Sequence, residues 1–140
     1  MDRIYPGGRL VTITFYGTVP MNSNKTFVSK LIGVPFVIRS IAQSFATGTN
    51  RTMTTKYFIS NDPEAPTTEQ PQGFNVLSQF GQAVYLTGDD ERKEFSQETE
   101  TPAANAYIKL YCENADTFDH TLDAQVTIEL LPRKPKPQAE

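Results

Sequence analysis

Residues 106–113 read AYIKLYCE, and residues 123–131 read DAQVTIELL. In the first stretch Ile108, Leu110 and Cys112 alternate with Tyr107, Lys109 and Tyr111. In the second Val126, Ile128 and Leu130 alternate with Gln125, Thr127 and Glu129. A period of two places one set on each face of a pleated strand, which a helix cannot do. Residues 114–122 join the two stretches, and the pair is expected to form a β-hairpin.

The same period recurs upstream. In residues 9–19, Val11, Ile13 and Phe15 alternate with Thr12, Thr14 and Tyr16. Residues 36–45 put Phe36, Ile38 and Ser40 on one face and Val37, Arg39 and Ile41 on the other. Residues 46–51 carry Gly48 and Asn50, which tolerate positive φ, before a strand over residues 52–60. These two runs predict a second hairpin. Residues 26–32 are short and stopped by Gly33 and Pro35, and are read as a strand. Residues 61–75 hold Pro63, Pro66, Pro71 and Gly73, too few donors for a central strand, so a long exposed loop is expected. Two apolar pieces follow, at residues 76–77 and 83–86.

Composition agrees. The chain has 140 residues, 17 of them threonine, with 11% aromatics and no tryptophan. β-branched and aromatic residues favour the pleated surface. The reading is an all-β chain: a single β-sandwich or jelly-roll-like domain of about seven to eight antiparallel strands over residues 9–131. Residues 1–8 are expected to be an N-terminal arm, and residues 132–140, with Pro132, Pro135 and Pro137, an extended Pro-rich tail.

Net charge is −3 and mean hydropathy −0.42. The acidity is local: residues 88–105 hold six acids against Arg92 and Lys93. General affinity for nucleic acid is not expected, because the only basic cluster is Arg133, Lys134 and Lys136, without an interleaved aromatic. That cluster suits a solvated tail or a docking arm on an acidic partner. No apolar run approaches the roughly 18 residues of a spanning helix, and residues 1–10 lack an apolar signal core, so no membrane role is expected. The sequons at Asn24 and Asn50 are therefore read as chance matches.

Chemistry finds few candidates. His120, beside Asp116 and Asp119, lacks an activated nucleophile, and Cys112 points inward on its strand. Oxygen ligands for calcium cluster at Asp89, Asp90 and Glu91, and at Asn114, Asp116 and Asp119, without EF-hand spacing. Such residues also cap backbone groups in turns, and that role is expected here. Tyr16, Tyr57, Tyr107 and Tyr111 are placed on outer or second-sheet faces, as a buried layer or a subunit interface. No residue is assigned a catalytic, cofactor-binding or metal-binding role.

Residues 33–39 (GVPFVIR), 56–60 (KYFIS), 81–89 (GQAVYLTGD), 107–111 (YIKLY) and 124–129 (AQVTIE) together resemble the β-sandwich and jelly-roll proteins of bacteriophage particles, especially small head-decoration and minor structural proteins. The resemblance covers about residues 33–131. It implies a non-enzymatic virion component assembled in the host cytoplasm, a homo-oligomer with a trimer favoured, partnered by the major capsid or other virion proteins. Carbohydrate-binding modules share the style of sequence. The alternative is a carbohydrate- or cell-surface-binding β-sandwich module that uses residues 61–75 and the acidic turns.

Overall fold

The computed structural model describes residues 9–77, 85–101 and 105–131. The expected arms, residues 1–8 and 132–140, and residues 83–84 of the apolar piece 83–86 lie outside the described residues.

Eight strands follow in chain order: β1 (Arg9–Val19), β2 (Ser23–Val28), β3 (Phe36–Phe45), β4 (Met53–Ser60), β5 (Phe74–Asn75), β6 (Glu91–Thr101), β7 (Tyr107–Asn114) and β8 (His120–Leu130). They form two four-stranded antiparallel sheets, ordered β1-β8-β3-β6 and β2-β7-β4-β5. Every consecutive pair except β4 and β5 is split between the sheets. That is the strand order of a jelly roll, in which the chain wraps around its own core.

This order corrects both expected hairpins. β3 and β4 do not pair, and neither do β7 and β8. Alternation identifies a strand and its faces but carries no information about its partner. The 46–52 connection turns a corner between sheets instead. Asn50 and Arg51 take positive φ (48° and 59°), and Thr49 and Thr52 amides donate to Ala46 and Thr49 carbonyls. The strand expected over residues 26–32 begins earlier and ends at Val28; Ile32 makes only an isolated bridge to Ala106. β6 falls within a stretch the sequence marks only as acidic.

The core lies between the sheets. Phe15, Phe36, Ile38, Ile41, Val126 and Ile128 face Met53, Tyr57, Ile108, Leu110 and Cys112. Val11 and Ile13 share that face but are only half-buried, because β1 is an edge strand. Ile41 was expected opposite Phe36 and Ile38. A bulge resets the parity: Ile38 lies opposite Ile128, and Ser40 opposite Thr127, leaving Arg39 as an extra residue. Ile41, Gln43 and Phe45 thereby turn inward and Ser40 outward. Gln43 is fully buried, and its Oε1 accepts from the Thr55 hydroxyl (3.0 Å) and the Tyr57 hydroxyl.

The segment expected as an exposed loop is exposed over most of its length, and it also covers a sheet. Residues 61–73 cross the outer face of the second sheet. Lys109 Nζ donates to Asp62 (2.6 Å), Lys56 Nζ to Gln70 (2.8 Å), and Thr26 Oγ1 to the Pro66 carbonyl (2.6 Å). These anchors sit on β7, β4 and β2 in turn, so the segment spans the sheet. Beneath it Lys109, Tyr111 and Phe58 are buried.

Two outcomes follow. Ile128→Ala empties a fully enclosed site between the sheets, and unfolding in urea should show a loss of about 2–5 kcal/mol. The Lys109 bond, with those of the Glu64 amide and Ser60 hydroxyl, holds the Asp62 carboxyl below its ordinary range. A depressed acid stabilises the fold above its unfolded value, about 3.9, and that contribution fades as pH falls through the lower folded value. Asp62→Asn should flatten this acid limb. At pH 7 it should also lower the melting temperature more than Lys109→Met, because it leaves a buried ammonium without its carboxylate.

Candidate functional site

The acidic turns are occupied by their own backbone. Asp89 Oδ1 accepts from the amides of Gly48 (3.0 Å) and Asn50 (2.9 Å), fastening the β3–β4 corner. Asp90 accepts from the Thr47 hydroxyl (2.9 Å), and Glu91 Oε1 from the Asp89 amide (3.1 Å). Asn114 Oδ1 takes the Asp116 amide (2.9 Å), while its Nδ2 donates to the carbonyls of Val19 and Phe118. Asp119 takes the Met21 amide across the β1–β2 turn (2.8 Å). Among the described residues no three His, Cys, Asp or Glu side chains gather in a metal-binding group.

His120 is buried and its Nε2 lies 2.8 Å from Asp116 Oδ2, not from Asp119. That bond, with the Thr117 amide, holds the Asp116 carboxyl below its ordinary range. The pair stitches the β7–β8 connection to the start of β8. Cys112 is enclosed in the core, where burial pushes its thiol far up and leaves no thiolate for chemistry.

The four tyrosines do not form one surface. Tyr57 points into the core, where burial raises its phenol well above the ordinary value. Tyr107 and Tyr111 face outward on the second sheet, Tyr111 beneath the 61–73 cover, where burial raises its phenol. Tyr16 is 70% exposed on the first sheet. The parity of residues 107–112 foretold the two on β7. Tyr57 was misplaced because β4 turns Met53, Thr55 and Tyr57 inward.

An open apolar cleft of about 610 Å³ lies where β1 faces the segment after β2, lined by Val11, Ile13, Val28, Leu31, Ile32 and Leu130. β1 forms its rim. On the outer face of the first sheet Leu10, Thr12, Thr14 and Tyr16 stand in solvent. Nothing in the sequence marked this cleft, because its two walls come from different sheets. A second exposed hollow, also about 610 Å³, lies within the 61–73 cover beside Asp62, Glu64, Glu69 and Gln70. No described helix is long and apolar enough to cross a membrane.

No protein-family model matches the sequence, and no curated protein matches it. Solved structures share its shape at low identity. A chain from the structure of infectious bursal disease virus, Gx strain, is 13% identical, with a TM-score of 0.50 over 89% of this chain and 32% of that one. A chain of the cyanophage Pam1 capsid asymmetric unit is 14% identical over 94% of each chain, with a TM-score of 0.44. The Yersinia pseudotuberculosis-derived mitogen is 9% identical over 90% of this chain and 91% of that one, with a TM-score of 0.43. This chain spans about a third of the bursal disease virus chain, and the likeness to it is one of fold.

Proposed function

We propose that this chain is a non-enzymatic structural protein of a virus particle, a bacteriophage head-decoration or minor capsid protein that packs on the shell as an oligomer. The observation that carries the reading is the jelly-roll strand order, similar in fold to the bursal disease virus chain. The disposition of polar chemistry supports it. His120, Cys112, Asp89 and Asp119 hold turns or fill the core, and among the described residues none of these is an activated nucleophile or acid–base pair in an open cleft. Assembly needs stable faces and edges, which this fold supplies.

In this reading residues 1–8 and 132–140 reach neighbouring subunits, and Arg133, Lys134 and Lys136 meet acids there. Exposed ion pairs contribute about 0.2–1 kcal/mol each and are screened over a Debye length of about 8 Å at physiological salt.

Purified protein should co-sediment with shells that lack it, and fail to bind arrayed glycans. Glycan binding without shell attachment would instead establish a carbohydrate-recognition module. Deleting residues 132–140 should leave thermal melting of the domain near normal while attachment becomes weaker and less sensitive to salt. Unfolding on deletion, with attachment of the folded fraction unchanged, would make the tail part of the core.

A further inference from the structure

We propose that β1 is a two-fold assembly edge, along which residues 10–16 of one copy pair antiparallel with the same residues of a second copy. The inference deepens the structural role proposed above by naming its self-contact, and it replaces the trimer expected from the sequence with a dimer as the basic unit.

A sheet edge presents a row of backbone donors and acceptors, and proteins that stay single protect it. Among the described residues the four edges are β1 and β6 in one sheet, β2 and β5 in the other. β5 is two residues long. β2 has six residues and carries Lys25. β6 carries Glu91, Arg92, Lys93, Glu94, Glu98 and Glu100. Each is shortened or charged. β1 is neither: it runs for eleven residues, pairs with β8 without a bulge, and has no charge and no proline beyond Arg9. Among the described residues β8 is its sole strand partner. Among the described residues only its far end is closed, where Lys25 Nζ donates to the Thr18 carbonyl (3.3 Å).

The segment is complementary to itself. With Ile13 opposite Ile13 across a two-fold axis, Thr12 meets Thr14 and Leu10 meets Tyr16 on the outer face, while Val11 meets Phe15 on the inner face. Threonine pairs and aromatic–aliphatic pairs are favourable cross-strand neighbours. No like charges are brought together, since residues 10–16 carry none. Leu10 is 50% exposed and Tyr16 70%, so both have apolar surface to cover. Val11 and Ile13 are half-buried at the rim of the apolar cleft, and the second copy's β1 would complete the wall they leave open. Two-fold contacts between identical patches are the commonest route to a homo-oligomer.

The test is the solution mass of the whole chain by analytical ultracentrifugation across concentration. The wild type should be dimeric. Thr12→Lys with Thr14→Lys places like charges opposite each other while touching only exposed side chains. It should raise the dimer dissociation constant by about tenfold or more without changing the melting temperature. Ser96→Lys on the already charged β6 edge should leave the dimer intact. Ile13→Cys should form an inter-copy disulfide on oxidation, and Thr18→Cys should not, because Cys112 is enclosed and the strand end is closed. A monomer at every concentration, a trimer, or a dimer indifferent to the lysine pair would overturn the contact. Loss of dimerisation in the lysine variant with shell attachment retained confirms this edge while separating it from the lattice role. A dimer that never co-sediments with shells keeps the edge and removes that role.

Discussion

β7 and β8 are adjacent in sequence yet lie in opposite sheets, and each is hydrogen-bonded on both sides. β8 runs between β1 and β3, and β7 between β2 and β4. Neither sheet can close until the last third of the chain arrives. The core follows from that constraint: Val126 and Ile128 from β8 meet Ile108 and Leu110 from β7 only because the 114–119 connection carries the chain across the sandwich. Asn114, Asp116, Asp119 and His120 are the residues that hold this crossing. Pairings of such long sequence separation cost loop-closure entropy before any contact forms, which makes folding of this topology intrinsically slow.

The two outer faces are treated differently. The second sheet is roofed by residues 61–73, and that roof brings an ammonium, Lys109, into full burial. A lone buried cation would be costly, so Asp62 at 2.6 Å is a condition of the arrangement rather than a surplus interaction. On the first sheet, the Arg39–Glu129 pair is also buried, at the point where the bulge in β3 interrupts the ladder. Beyond it the face opens to solvent along Thr12, Thr14 and Thr127. One sheet is thus finished within the described chain, and the other retains an accessible face and a neutral edge.

Charge is placed with the same economy. The acids that looked like metal ligands accept hydrogen bonds from backbone amides at corners, as from Asn50, which takes positive φ, to Asp89. Those on β6 lie along an edge, where charge resists unplanned pairing. A strand without an apolar face is invisible to a search for alternation, which is why β6 surfaced only as an acidic stretch.

Strand character and facing were legible in the residues themselves. Val126, Ile128, Ile108, Leu110 and Phe15 are buried where their period of two places them, since alternation is a local property of the pleat. The inward Cys112 and the turn-capping acids were equally local, because a carboxylate beside a corner finds free amides within a few ångströms. Partnership was not legible. The β3 and β4 runs look like a hairpin and are not one, because which strands meet depends on how the whole chain wraps. The bulge at Arg39, the burial of Gln43, the roof over Lys109 and the cleft beside β1 each require two segments far apart in sequence to arrive at one place. Only the tertiary structure decides them, because no single segment carries the geometry of the other.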